Sequence, residues 1–298
     1  MPARASVPPS GFAVGDPTPA DPRRGWDGLD QAQRDAAYDN NAAVADSARQ
    51  VEARNAASAA YRAAHAGALD IPYAGAARTA FDLFPAADPR APCLVFVHGG
   101  YWQRNAREVF ACLAEGPAAA GWSVAIPGYT LAPEARLARI AAEIGTCLDW
   151  LEAEGPARGI AGPIVLAGWS AGAQLAALHL GHPAVAAGLA ISGIYDLAPI
   201  RDTGLDRALR LADEEIAALS PLRLPVTAKP LAIAYGTAEL PALVHDARNF
   251  HGLRSAAHAP GPLLPVAGAD HFSVLDALRR PRGPLVRAAA DLIEGTMP

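Results

Sequence analysis

The chain has 298 residues, of which 51% are hydrophobic and 18% charged, with a formal net charge of -5. That length fits one large α/β domain or two small ones, and is enough to bury a substantial core. The acidic balance excludes recruitment by nucleic acid or by an anionic membrane surface.

Residues 1–27 are rich in Pro, Gly and Ala and read as a loose arm. This stretch lacks the continuous apolar run of a secretory signal, and no run approaches the 18 residues of a membrane span, so a cytoplasmic protein is expected. Residues 28–66 read as helical. Two short strands are expected around 70–73 and 78–84, the second ending in the turn-like "PAADPRAP".

A repeating pattern follows. The strand "PCLVFVH" precedes a helix over about 106–120, and "WSVAIP" (122–127) precedes a helix over about 134–154. "PIVLAG" (163–168) leads into a helix from Ala171 to about Leu180, and "GLAISG" (188–193) comes next. The stretch 197–228 interrupts the alternation with charged helical residues and prolines, and reads as a small insertion or lid within a single domain over 28–298. "PLAIAYG" (230–236), a helix over 240–252, "PLLPVAG" (262–268) and C-terminal helices complete the order. Short apolar strands alternating with helices predict a mostly parallel sheet covered on both faces. The three cysteines, Cys93, Cys112 and Cys147, have no metal-like spacing; Cys93 and Cys147 read as small buried apolar residues.

The strand 163–168 runs into Gly168-Trp169-Ser170-Ala171-Gly172, a G-x-S-x-G pattern that places a serine on a sharp strand-to-helix turn. The flanking strand and the helix "AQLAALHL" are the context this motif requires, which the decoy Gly121-Trp122-Ser123 lacks. A serine hydroxyl is a weak nucleophile and needs a base oriented by a third group. In a sheet of this kind the acid and then the histidine come later in the chain. His271, in "GADHFSVLD" beyond the last strand, is the expected base. His182 reads as a cap on the nucleophile helix, and His245, His251 and His258 read as lying on or beside a surface helix. Glu239 is the first carboxylate after "PLAIAYG" and the expected acid, with Asp246 and Asp196 as competitors.

Gly99 and Gly100, leaving the strand through His98, offer backbone N–H groups free of side chains. With the N–H of Ala171 they read as donors to an oxyanion. Tyr101, Trp102 and Trp169 are candidates for a substrate pocket; for Trp102 a purely anchoring place in the core is an equal alternative.

These motifs resemble the α/β-hydrolase superfamily, and within it the arylformamidase (kynurenine formamidase) group. His98-Gly99-Gly100-Tyr101-Trp102 is similar to that group's version of the glycine loop, where other esterases have a third glycine at the position of Tyr101. Tyr38 and Asn40 followed by "AAVAD", "YTLAP" (129–133), "GWSAG", "SGIYDLAPI" (192–200), "LSP" (219–221) and "GADHF" add to the resemblance, which spans about residues 30–280. The chain departs in having Glu239 where the family usually has aspartate and Ala45 where proline is common. The resemblance implies an α/β-hydrolase fold and a serine hydrolase without cofactor or metal. It implies cleavage of a formyl or acetyl amide or ester of an aromatic leaving group, such as N-formylkynurenine. A short-chain carboxylesterase is the alternative within the class, and a non-catalytic binding protein of the same fold the alternative outside it. The only partner implied is a small-molecule substrate, with a homodimer left open.

Overall fold

The computed structural model describes residues 26–65 and 68–295. All of the expected arm except Trp26 and Asp27 lies outside the described residues. Eight strands form one sheet in the order β1-β2-β4-β3-β5-β6-β7-β8. They are β1 (Ile71–Pro72), β2 (Ala80–Phe84), β3 (Cys93–Val97), β4 (Ser123–Pro127), β5 (Ile164–Trp169), β6 (Val185–Ile191), β7 (Leu231–Gly236) and β8 (Leu263–Val266). β1 and β2 pair antiparallel, as do β2 and β4, and every other neighbouring pair is parallel.

The alternation of side chains along the central strands explains the continuous apolar runs. In β3, Cys93, Val95 and Val97 enter one core, while Leu94 and Phe96 enter the other. In β5, Ile164 and Leu166 face the first and Val165, Ala167 and Trp169 the second. A strand buried on both faces has no polar positions to spare.

The region 28–66 is not one helix but three: α1 (Gln31–Ala36), α2 (Asn40–Ala43) and α3 (Ser47–Ala64). Asp30 caps the first and Asp39 the second, each side chain accepting a backbone N–H. Short polar side chains of this type compete with the helical backbone and mark new helix starts. The stretch expected as a helix over 106–120 is a 3₁₀ helix over Arg107–Ala114 followed by α4 (Glu115–Ala119). Gly116 and Pro117 sit in that second piece, two poor helix formers in succession.

The remaining helices are α5 (Leu137–Glu154), α6 (Ala171–Leu178), α7 (Ala198–Arg201), α8 (Asp206–Leu209), α9 (Asp213–Leu219), α10 (Pro241–Ala256), α11 (Asp276–Arg279) and α12 (Pro284–Glu294). The segment 197–228 contains α7, α8 and α9. It buries Leu197, Ile200, Leu209 and Ile216 in the core and accepts a hydrogen bond from Gln103 Nε2 at the Leu205 carbonyl, 3.0 Å away. No helix among the described residues is long and apolar enough to cross a membrane.

A buried ion pair ties the N-terminal helices to the sheet edge. Asp82 of β2 is fully buried and receives Arg62 Nε of α3 at 2.8 Å and Arg107 Nε at 3.2 Å. Removing one partner of such a set leaves an uncompensated charge, at a cost of about 3–5 kcal/mol. Asp82→Ala is therefore expected to lower unfolding stability by about that amount in urea denaturation. A loss below about 1 kcal/mol would mean that this cluster does not hold α3 in place.

Candidate active site

The functional site is built where β5 gives way to α6. Ser170 lies between them at φ 57° and ψ -122°, a left-handed conformation that non-glycine residues seldom adopt. The flanking glycines make the turn possible. A Cβ on Gly168 would sit 2.1 Å from the carbonyl oxygen of Gly172, and one on Gly172 would sit 2.1 Å from that of Val97. Strand, turn and helix are in backbone contact with no room for a side chain.

The candidate base and acid arrive from the ends of two other parallel strands. His271, after β8, places Nε2 3.2 Å from Ser170 Oγ, and its Nδ1 is 3.1 Å from Glu239 Oε2. With Nδ1 protonated toward the carboxylate, Nε2 is free to accept the serine proton. All three residues are buried, Ser170 being 2% exposed. Glu239, after β7, is held by its other oxygen, which accepts the Ser192 hydroxyl at 2.5 Å and the Gly236 N–H at 2.6 Å. Ser192 follows β6 at φ 53° and was not legible as part of the site; only its place inside "SGIYDLAPI" marked it.

The competing carboxylates are engaged elsewhere. Asp196 takes a bidentate pair from Arg223 at 2.8 and 2.9 Å and accepts the Ala198 N–H. Asp246 is buried, accepts the Tyr195 N–H at 3.3 Å, and is pushed well above the usual carboxylate range by that burial. His179, not His182, closes α6; His182 pairs with Asp149 across 3.1 Å.

The loop leaving β3 crosses directly over this turn. A Cβ on Gly99 would lie 2.6 Å from the Trp169 carbonyl and 2.8 Å from Ser170 Cβ, so only glycine fits. Gly100 lies at φ 121° and faces the cavity beside Ser170, whereas Ala171 heads α6 and is fully buried. Tyr101 also lines the cavity. Its hydroxyl donates to the Tyr38 carbonyl and accepts from Asn40 Nδ2 at 2.7 Å, which gives the N-terminal Tyr38–Asn40 motif a structural purpose. Asn40 Oδ1 is buried and has no partner among the described residues.

Trp102 does not line the cavity and is removed from the candidate pocket residues. Its φ of 58° turns it inward, where it is fully buried and donates Nε1 to Gln174 Oε1 at 3.1 Å. Trp169 does border the cavity, donates Nε1 to the His271 carbonyl at 2.9 Å and packs its ring 4.8 Å from the imidazole. His98 is a support for the loop. Its ring stacks between Tyr129 and Phe110, and burial pushes its pKa down to about 3, so it stays neutral.

The cavity has a volume of about 150 Å³ and is bounded by Asn40, Arg54, Tyr101, Asn105, Trp169 and Phe272 around Ser170 and His271. That is below the roughly 300–1,000 Å³ of sites for drug-sized ligands. A larger hollow of about 230 Å³ lies behind Arg54 and Phe272 but does not reach Ser170.

A family model for the alpha/beta hydrolase fold matches residues 94–234. Kynurenine formamidase of Danio rerio is 25% identical over 227 residues, covering 70% of this chain and 76% of that protein. Esterase LipC of Mycobacterium tuberculosis is 29% identical over 236 residues, covering 67% of this chain and 57% of that one. Among solved structures, a protein of Silicibacter sp. provisionally assigned as a thioesterase superposes with a TM-score of 0.76 at 29% identity, over 86% of this chain and 98% of that one. The chain thus has the α/β-hydrolase fold and is related to the kynurenine formamidases.

Two carboxylates separate by experiment. Glu239→Gln is expected to cut kcat by several orders of magnitude, on the scale of the roughly 10⁴-fold effect of an acid-to-amide change in a serine protease. Asp246→Asn should leave kcat within a few-fold and act on stability instead. Because the folded state raises the Asp246 pKa, it binds that proton more tightly than the unfolded chain does. Its stabilising contribution is complete below about pH 4 and is lost as pH rises toward the raised folded value. The amide variant lacks this loss, so its stability relative to the parent should grow as pH rises above about 4 in denaturation series. A crippled Asp246→Asn enzyme would reassign the acid.

Proposed function

We propose that this α/β-hydrolase-fold chain is a serine hydrolase that cleaves a small acyl group, formyl or acetyl, from an aromatic amine or phenol. The observation that carries the reading is the unbroken hydrogen-bonded series Ser170–His271–Glu239, at 3.2 and 3.1 Å, opening onto a small cavity.

Ser170 Oγ attacks the acyl carbonyl while His271 Nε2 takes its proton. The tetrahedral oxygen gains negative charge and is met by backbone N–H groups of the glycine loop, Gly99 and Gly100, and of Ala171. Removing one such donor typically costs about 2.7–4 kcal/mol of barrier stabilisation. His271 then returns the proton to the leaving amine or phenolate oxygen, releasing it and leaving an acyl-serine. Water, deprotonated by the same imidazole, adds to that ester, and Ser170 regains its proton as the carboxylic acid departs.

The choice of small acyl groups is supported by the cavity volume and by Tyr101 standing at its wall, its hydroxyl held by both Tyr38 and Asn40. The preference for an aromatic leaving group is supported by the presence of Trp169 and Phe272 among the cavity-lining residues, since offset or edge contacts between rings add about 0.5–1.5 kcal/mol beyond burial. A short-chain carboxylesterase is the second reading, favoured by the similarity to esterase LipC.

Ser170→Ala should abolish turnover while the protein remains folded, and a serine-directed phosphonate should label Ser170 alone. In a series of formyl, acetyl, butyryl and octanoyl derivatives of one aryl leaving group, kcat/KM should peak at the one- or two-carbon acyl group. A maximum at octanoyl would defeat the narrow-cavity argument. Good ester rates with none on N-formylkynurenine would select the esterase reading.

A further inference from the structure

Among the described non-glycine residues at positive φ, Arg210, His258 and Arg282 are exposed, whereas Ser170 and Ser192 are buried serines. Ser192 directly follows β6 at φ 53° and is fully buried, its N–H donating to the Ala234 carbonyl of β7 at 2.7 Å. Glycine takes that backbone conformation freely, while the Cβ of a serine opposes it. At Ser170 the strain accompanies a hydroxyl that faces His271 Nε2. Ser192 does not line the cavity, and its hydroxyl goes instead to Glu239 Oε1, at 2.5 Å. A buried outlier inside a site points to a side chain that the site uses.

What that hydroxyl supplies follows from how Glu239 is held. The Thr237 N–H donates to the Val266 carbonyl at 3.0 Å and the Ala238 N–H to the Ala269 carbonyl at 2.9 Å. The backbone leading to Glu239 is thereby tied to the segment leading to His271. The glutamate side chain still has three torsions between that backbone and its carboxylate. The Gly236 N–H, from the same turn, reaches Oε1 at 2.6 Å. Alone it would be a pivot about which the carboxylate could swing. Ser192 comes from the neighbouring strand and donates to the same oxygen, so two bonds fix Oε1 and leave Oε2 facing His271 Nδ1 at 3.1 Å. Hydrogen bonds to an ionised carboxylate are stronger than neutral ones, which suits them to such a clamp.

We propose that Ser192 is a positioning residue whose hydroxyl locks the Glu239 carboxylate with Oε2 toward His271, and that serine occupies this left-handed position for the sake of that hydroxyl. It acts on the reaction only through Glu239 and meets no substrate. Its effect on rate rests on the serine-hydrolase reading; its effect on the Glu239–His271 bond does not, and the two are measured separately.

Two variants of the full-length protein separate hydroxyl from backbone. Ser192→Ala keeps the Cβ and the strain and removes only the hydroxyl, while Ser192→Gly removes the strain as well. With phenyl acetate as the probe, kcat should fall on the order of 10- to 100-fold in both, the scale of a small misplacement in a catalytic array. KM should stay within about twofold, because no substrate contact is lost. In a Glu239→Gln background the same substitutions should change kcat by less than about twofold, since residues that act as a unit are not additive. A proton on His271 Nδ1 shared with a carboxylate gives a far-downfield NMR signal, which should move upfield or broaden in both variants. A parental kcat in Ser192→Gly would overturn the proposal, even if Ser192→Ala failed to fold. An equal loss in the Glu239→Gln background would do so too, since the hydroxyl would then act on the fold at large, as would an unmoved Nδ1 signal. Failure of the hydrolase reading looks different: Ser170→Ala would retain turnover, while the Nδ1 signal would still decide what Ser192 does.

Discussion

Ser170 is held at a positive φ that costs on the order of 1–3 kcal/mol, and such a conformation persists only where its surroundings over-determine it. Here the surroundings are backbone. The Ser170 N–H donates to the Ile191 carbonyl of β6 at 2.8 Å, and the Ala173 N–H returns to the Ser170 carbonyl at 2.9 Å. On the other side the glycine loop presses Gly99 against Trp169 and Ser170 with no space for a methyl group. The same close crossing that strains the serine lifts its hydroxyl off the strand end and brings a bare stretch of backbone beside it.

Everything else in the site is referenced to that crossing. Trp169, one residue before the serine, holds the His271 carbonyl through its indole N–H, so the imidazole is positioned from the strand that leads into Ser170. Glu239 is in turn fixed by Ser192 and Gly236, at the ends of the two strands between β5 and β8 in the sheet. The glycine loop is fastened as firmly. Tyr129 donates to the His98 carbonyl at 2.7 Å, Asn105 to that of Gly99 at 3.0 Å, and Trp102 reaches Gln174 on α6. Those bonds are what allow Tyr101, Trp102 and Asn105 to keep positive φ together.

Much of this was legible because it follows from strand order. The apolar strands fixed the sheet, the G-x-S-x-G turn fixed Ser170, and the first carboxylate and first histidine beyond the last two strands are the residues the fold brings to it. What sequence could not settle depended on the sign of a dihedral or on which way a helix face turns. Trp102 reads equally as wall or anchor until φ 58° sends it into the core. Arg54 stands in an alanine- and arginine-rich helix where Arg49 and Arg62 look no different, and only packing of α3 against the 3₁₀ helix brings it over Phe110. The division of residues 28–66 into three helices was carried by Asp30 and Asp39, whose capping depends on local backbone geometry that composition does not reveal.

The arrangement of charge gives the site a direction. Ser170 stands at the N-terminus of α6, where, on the serine-hydrolase reading, an oxyanion would develop, and helix N-termini favour negative charge. The Glu239 carboxylate lies on the far side of the imidazole, with its charge spread over two donors and His271 Nδ1. On that reading, proton transfer from Ser170 to His271 moves positive charge toward Glu239 and leaves negative charge at the start of α6. Both ends of the newly formed ion pair are met by groups already in place, so little reorganisation is needed as the charges separate. A neutral His98, kept uncharged by burial between Phe110 and Tyr129, adds no competing charge to that axis.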